Sequence, residues 1–201
     1  MSRFVYLASA SPRRRELLAQ LGIACRVVPA SLDESRKPGE SPARYVRRLA
    51  REKAAASRLA LGDVPEPVMG ADTAVVIEDR ILGKPRDRAD AESMLMALSG
   101  RCHQVVTGVA LLGPEGSDDV LSRSRVCFRE LSPAEARAYW DTGEPADKAG
   151  AYAIQGLGAV FVESIEGSYT GVVGLPLFET AQLLAGFGYG LPLPGRNATH
   201  G

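Results

Sequence analysis

Three consecutive arginines, at positions 13 to 15, open the first predicted helix, where positive charge is unusual. A cation in the first turn opposes the helix dipole at a cost of about 0.3–1 kcal/mol. A bound anion would reverse that sign, because free backbone N–H groups, the hydroxyls of Ser9 and Ser11 and the guanidinium groups would all contact it. The pattern indicates a phosphate-binding turn, with a solvated basic turn as the alternative.

Helical geometry separates these three arginines. Successive residues of an α-helix point about 100° apart, so three in a row cannot face one ligand. Arg13 and Arg14 flank the apolar face formed by Leu17 and Leu18, whereas Arg15 points away from it. We therefore expect Arg13 and Arg14, but not Arg15, to face a bound anion.

Two carboxylates stand where they could take part in chemistry. Asp72 is predicted to end an apolar strand, and open α/β sheets bind ligands at the carboxyl ends of their strands. Glu34 lies in an acidic bend. Because histidine occurs only twice, a metal would be a hard cation such as magnesium or manganese, held by carboxylates. The alternatives are a turn-capping aspartate and a solvated loop glutamate.

Lysine is scarce in this chain, with four residues against twenty arginines. Lys53 falls within the apolar stripe of a predicted helix at 41–61, so its ammonium either reaches an anion across the sheet or extends along the core to water. An anion-binding turn, an inward lysine and carboxylates are together what phosphoryl chemistry requires, because its catalysis is mostly charge neutralisation and positioning.

The elements that must position these residues indicate an α/β fold with a mixed, twisted sheet. Strands are predicted at residues 4–8, 25–28, 67–71, 73–77, 80–82, 103–112 and 120–128, with 160–165 and 169–173 as a last strand pair. Helices are predicted after caps at Ser11, Ser41, Asp87 and Ser132, and a last one opens at 174–176 and reaches about 184. With no linker or repeat, we expect one domain at 1–185 and a flexible Gly/Pro-rich tail at 186–201.

Composition excludes several classes of protein. The 24 basic and 24 acidic residues cancel, which argues against a nucleic-acid partner. No apolar run is long enough for a membrane helix, and the N-terminus does not resemble a secretory signal, so we expect a cytoplasmic protein. The three cysteines are odd in number and widely spaced, and we expect them to be reduced. Neither a Walker A motif nor a GxGxxG opening a helix is present.

Several sequence blocks, in order and with compatible spacing, resemble the Maf (septum-formation) family: LASASPRRRELL, the Asp33–Glu34 pair, ESPARYVRRLAREKA, GADT with the following LGKPRD, SGRCHQV, and DKAGAYAIQGLG followed by VGLP. The resemblance implies a cytoplasmic enzyme, commonly a homodimer, that cleaves nucleoside triphosphates between the α and β phosphates with a divalent metal. It also implies an elongated mixed sheet with flanking helices and a central cleft, similar to the inosine triphosphatases.

The same resemblance implies roles for individual residues. It makes Asp72 the proton acceptor and places Glu34 near the metal or the substrate, so that magnesium or manganese would lie at Glu34 and Asp72. Around the triphosphate it places Ser9, Arg13, Arg14, Lys53 and Lys84. Arg13, Thr73 and Gln155 fall at the positions associated with base selection.

GADT together with AIQGLG resembles the branch that acts on dTTP and UTP, whereas the 7-methyl-GTP branch carries Gln after the aspartate. Gln155 pairs selectively with uracil or thymine only if a neighbour fixes its amide, a part we expect of Thr73 or a backbone group. The alternatives are a pyrophosphatase of another base preference, including 7-methyl-GTP or modified nucleotides, and a nucleotide-binding regulator of cell division. A regulator would need no base at Asp72.

Overall fold

A computed structural model describes residues 4–190 and shows one mixed seven-stranded sheet flanked by helices. The strands are β1 (Phe4–Leu7), β2 (Ala24–Val27), β3 (Val68–Ile77), β4 (Arg80–Leu82), β5 (Cys102–Leu112), β6 (Ser117–Phe128) and β7 (Val162–Glu166). Their order is β2-β1-β3-β5-β6-β7, with β4 paired to β3. Strands β2, β1 and β3 are parallel, and all other pairings are antiparallel. The predicted α/β fold class is confirmed.

The first four helices begin directly after the predicted caps, although the Ser11 side chain forms no capping hydrogen bond. The helices are α1 (Pro12–Gln20), α2 (Pro42–Leu61), α3 (Arg88–Leu98), α4 (Pro133–Asp141), α5 (Tyr169–Val173) and α6 (Leu177–Gly186). The Ser41 side chain accepts a hydrogen bond from the Arg44 amide, and Ser132 forms a full capping box with Glu135. Three short 3₁₀ helices, Glu144–Asp147, Ala149–Ala151 and Leu157–Phe161, shape the glycine-rich segment before β7.

Two glycines let α2 lie directly against the sheet. A Cβ at Gly70 would stand 2.0 Å from the carbonyl oxygen of Ala50, and one at Gly108 would stand 2.9 Å from that of Val46. Any side chain there would push the helix away from β3 and β5. This close approach carries Lys53, about one helical turn beyond Ala50, over the middle of β3.

Two predicted elements differ from the structure. The segment 169–173 is not a strand but helix α5, because Ser168 caps it by accepting a hydrogen bond from the Gly171 amide. Strand β7 therefore pairs with β6 and not with 169–173. The predicted break at Asp72 is also wrong, since β3 runs without interruption from Val68 to Ile77.

The prediction that all three cysteines are reduced is wrong for two of them. Cys102 and Cys127 form a disulfide, and Cys25 is free. The two bonded residues lie directly opposite each other on β5 and β6, with Cα atoms 3.9 Å apart. Antiparallel pairing therefore brings together two cysteines that are 25 residues apart in the sequence.

The packed part of the chain continues past the last helix. Tyr189 is buried, and its hydroxyl donates a hydrogen bond to the carbonyl oxygen of Phe4. The rest of the predicted tail, residues 191–201, lies outside the described residues, and the division into a domain at 1–185 and a flexible tail stays a prediction. Within residues 4–190, no helix is both long enough and apolar enough to cross a membrane.

Candidate active site

The buried centre of the site is an ion-pair triad. Lys53 Nζ lies 2.6 Å from Asp72 Oδ1 and 2.8 Å from Glu34 Oε1. Lys53 and Asp72 are 9% and 8% exposed, whereas the Glu34 side chain is about half exposed. One buried ammonium therefore holds two carboxylates together, which sequence spacing alone does not reveal.

Asp72 lies in the middle of β3 and not at its end, which corrects the sequence-based placement. The pairing of β1 with β3 ends at Met69, and the pairing of β4 with β3 begins only at Val75. Between these two points the edge of β3 is open. Side chains from both faces of the strand therefore reach one space, Asp72 from the α2 side and Thr73 from the other.

Burial raises the pKa of Asp72 above its ordinary value, and the positive charges of Lys53 and Arg14 oppose this rise. A carboxyl whose pKa lies closer to neutrality is better suited to accept and release a proton than an ordinary surface aspartate. The burial and the charged neighbours of Asp72 are thus compatible with the proton-accepting role predicted for it.

Arg14 is held from three sides. Its Nε donates to the carbonyl oxygen of Gly174 at 2.9 Å, Nη1 donates to Ser9 Oγ at 3.1 Å, and Nη2 donates to Thr73 Oγ1 at 3.2 Å. Burial lowers its pKa from the ordinary arginine value. The helical prediction is consistent with this arrangement, since Arg13 also lines the cleft and Arg15 is exposed.

A directed chain of hydroxyls fixes Arg14 further. Thr107 Oγ1 donates its proton to the carbonyl oxygen of Gly171 at 2.8 Å. In the hydrogen bond of 2.9 Å between the two threonine hydroxyls, Thr73 must therefore be the donor and Thr107 the acceptor. Thr73 is thus committed to Arg14 and Thr107. Within residues 4–190 no hydrogen bond joins Thr73 to Gln155, so the orientation of the Gln155 amide by Thr73 or a backbone group stays a prediction.

All nine sequence-predicted site residues line one cleft of about 790 Å³. The buried Ser9 follows β1, and the exposed Lys84 follows β4. Gln155, also exposed, lies in the glycine-rich segment between the second and third 3₁₀ helices. The cleft lining therefore contains cationic side chains, the carboxylates of Glu34, Asp72 and Asp147, and the amide of Gln155.

The sequence model of the family described as Maf-like protein matches residues 4–187. This chain belongs to the Maf family. Curated proteins named dTTP/UTP pyrophosphatase are similar to it: one from Saccharophagus degradans is 57% identical over 91% of this chain and 88% of its own. One from Hahella chejuensis is 56% identical over 92% of this chain and 93% of its own. One from Vibrio cholerae is 54% identical over 90% of this chain and 96% of its own.

Solved structures add little to this assignment to the Maf family. The Staphylococcus aureus Ham1 protein overlaps 65% of this chain and 73% of its own, with 16% identity and a TM-score of 0.42. So loose an overlap carries no weight for the fold. The likeness to the inosine triphosphatases therefore stays a prediction.

A hard divalent cation fits the donor set of this Maf cleft. Glu34 and Asp72 each bind Lys53 through one carboxylate oxygen and keep a second oxygen for a cation, and magnesium typically binds one or two carboxylates together with substrate phosphates. Among residues 4–190, no group of three or more His, Cys, Asp or Glu side chains is arranged to hold a metal. The remaining ligands would therefore come from substrate and water.

Sequence reasoning missed the residues that hold the loop of Glu34. The Tyr45 hydroxyl donates to the backbone carbonyl of Glu34 at 2.9 Å, and Arg48 donates to that of Ser35 at 3.0 Å. Arg48 also binds both carboxylate oxygens of Glu40, which lowers the pKa of Glu40 to about 2. Thr107 is a polar residue in an apolar strand, and this pattern could have pointed to the hydroxyl chain. No feature of the sequence sets Arg48 apart from the other arginines of α2.

Proposed function

We propose that this protein hydrolyses dTTP and UTP to the nucleoside monophosphate and pyrophosphate. The observation that carries the proposal is Lys53, held between Asp72 and Glu34 in a cleft that Arg14 also lines. Relatives at 54–57% identity bear the name dTTP/UTP pyrophosphatase, which supports the substrate class.

In this reaction Asp72 accepts the proton of a water molecule as its oxygen attacks the α-phosphorus. The bond from the α-phosphorus to the bridging oxygen breaks, and pyrophosphate leaves. The buried Lys53 and the partly buried Arg14, each oriented by fixed partners, neutralise charge on the triphosphate, while Arg13 and Lys84 extend the positive lining. A magnesium or manganese ion bound at Glu34 and Asp72 would add charge neutralisation on the phosphates.

Base selection is assigned to Gln155, whose amide can meet the O4 and N3–H edge of uracil or thymine. Cytosine presents the reverse pattern, and a wrong base leaves buried polar groups unpaired at about 1–3 kcal/mol each. We therefore expect kcat/KM for UTP and dTTP to exceed that for CTP at least about tenfold. Purines should be cleaved less well because of their size.

Steady-state pyrophosphate release from UTP, dTTP, CTP, GTP and 7-methyl-GTP, with magnesium or manganese, tests this proposal. Comparable kcat/KM for all five substrates would contradict the pyrimidine preference but not the pyrophosphatase reaction. Tight nucleotide binding with no turnover of any of them would instead favour a nucleotide-binding regulator of cell division.

The helical register of the arginine turn gives a separate prediction. Arg14→Ala should raise KM for UTP at least about tenfold, because it removes a charged donor whose three fixed contacts orient it at the cleft. Arg15→Ala, on an exposed position of the same helical turn, is the matched control and should leave kcat and KM near wild type. If both variants lose activity equally, the assignment of Arg14 to the triphosphate is wrong.

The setting of the enzyme is also part of the proposal. A homodimer is expected from the resemblance to the Maf family. A cytoplasmic location and the absence of a nucleic-acid partner are expected from the composition of the chain. The disulfide between Cys102 and Cys127 runs against the cytoplasmic expectation, since reducing compartments keep most such pairs as thiols.

A further inference from the structure

The segment that carries Gln155 is wrapped around one carboxylate outside the cleft. Glu144 Oε2 accepts a hydrogen bond from the Leu157 amide at 2.9 Å. Glu144 Oε1 accepts two more, from the Gly158 amide at 3.0 Å and from the Tyr139 hydroxyl at 2.6 Å. These contacts fix the segment on the C-terminal side of Gln155.

The Tyr139 hydroxyl fixes the other side. It accepts a hydrogen bond from the Ala153 amide at 3.0 Å, so its single proton is directed to Glu144. Burial favours a raised pKa for Glu144, but the donors from Tyr139, Gly158 and Leu157 outweigh burial and lower the pKa of Glu144. The carboxylate is therefore charged at neutral pH and anchors both ends of the segment.

Two glycines show how closely the backbone follows this pair of side chains. A Cβ at Gly156 would lie 2.2 Å from Glu144 Oε2, and one at Gly158 would lie 2.7 Å from the Tyr139 hydroxyl oxygen. The backbone thus meets the carboxylate and the hydroxyl with no room for a side chain between them. A shift of either group moves residues 153–158 directly.

Gln155 itself has no side-chain hydrogen bond to another residue in the part of the chain that the structure describes, and it is exposed to the cleft. Its amide is therefore positioned by its backbone alone. Neither Tyr139 nor Glu144 lines the cleft, so neither contacts a substrate bound there.

We propose that Tyr139 and Glu144 are positioning residues for base selection, acting through the backbone of residues 153–158 to hold Gln155 against the pyrimidine edge. The inference rests on the proposed function, because it assumes that Gln155 meets the base. Their loss should change which base is accepted much more than how fast the phosphoanhydride bond is cleaved.

The test compares kcat and KM for UTP and CTP in wild type, Tyr139→Phe and Glu144→Gln. Tyr139→Phe removes one oxygen, and Glu144→Gln turns one acceptor oxygen into an NH₂ group that faces an N–H donor. In both, the ratio of kcat/KM for UTP to that for CTP should fall at least about fivefold, through KM, with kcat for UTP within about threefold of wild type. The matched control is Tyr189→Phe, which removes a hydroxyl bonded to the Phe4 backbone and should leave the ratio unchanged.

Amide hydrogen exchange of residues 153–158 gives a second readout that does not depend on turnover. Exchange of this segment should speed up in Tyr139→Phe and stay at the wild-type rate in Tyr189→Phe. The inference would be overturned if the ratio of kcat/KM for UTP to that for CTP stayed unchanged in both Tyr139→Phe and Glu144→Gln. An equal loss of kcat on both substrates would overturn it too. A wild-type enzyme that shows no UTP preference would defeat the proposed base preference first, and the inference with it.

Discussion

Asp72→Asn should lower kcat by about 10²–10⁴-fold while leaving the protein at least as stable as wild type. The loss of activity follows because asparagine cannot accept the proton of the attacking water. The gain in stability follows from burial, which raises the pKa of Asp72 in the folded state. Above that pKa the ionised carboxylate costs stability, and the neutral amide does not carry this cost.

The sign of the stability effect depends on pH in a defined way. A group whose folded-state pKa is raised contributes stability at low pH and loses it as the pH rises through that pKa. The advantage of Asp72→Asn over wild type should therefore be present at neutral pH and disappear in acid. Thermal unfolding at neutral and acidic pH measures the change in stability, and UTP turnover measures the loss of kcat. Near-normal turnover would contradict both a proton-accepting and a metal-binding role for Asp72.

The matched control for Asp72→Asn is Asp119→Asn, which changes a second buried aspartate. Asp119 lies on β6 and pairs with Arg47 and Arg51 of α2, away from the residues that line the cleft. Its replacement should weaken these two ion pairs and lower the unfolding temperature, yet leave kcat close to wild type. The two variants should thus change stability and activity in opposite ways.

Local sequence signals were sufficient for the framework of the site. Serines followed by prolines marked the starts of α1, α2 and α4, and the predicted bounds 103–112 and 120–128 fall within the long strands β5 and β6. The helical register separated Arg13 and Arg14 from Arg15. Site residues carried by single elements could be predicted because their positions depend on short-range geometry, and the resemblance to a family supplied the remaining ones.

What could not be predicted depends on pairings between distant strands. The open edge of β3 at Asp72 exists only because β1 ends opposite Met69 and β4 begins opposite Val75. The GADT sequence itself contains no signal for where the pairings with β1 and β4 end. The salt bridges from Lys53 likewise require α2 to lie against Gly70, a contact between elements that are far apart in the chain.

The disulfide is different, because a usable signal was present. The turn at Gly113 and Gly116 sets the register of the hairpin, and Cys102 and Cys127 are equally far from its two ends. Extending the strand pairing from this turn along both strands places the two cysteines opposite each other. Counting the cysteines without applying the register led to the wrong expectation of three thiols.

Lys53→Met should shift the acid limb of the pH profile of kcat/KM to higher pH. Lys53 lowers the pKa of Asp72 by its charge and by a hydrogen bond, while burial and the nearby Glu34 raise it. Without the ammonium the pKa of Asp72 rises further, so a higher pH is needed to deprotonate the base, and one positive charge on the triphosphate is also lost. We expect kcat/KM for UTP at neutral pH to fall at least about tenfold, with partial recovery at alkaline pH.

Partial recovery distinguishes the two ways in which Lys53 could act. If the lysine only neutralises the triphosphate, its loss lowers kcat/KM at every pH and leaves the acid limb where it was. If it also tunes the base, the limb moves, because a carboxyl with a higher pKa loses its proton only in more alkaline solution. Lys37→Met is the matched control, since Lys37 is an exposed lysine 3.6 Å from Glu52, and its profile should overlay the wild type. A lower plateau with an unmoved limb in Lys53→Met would therefore remove Lys53 from proton transfer and leave it only a role in binding phosphate.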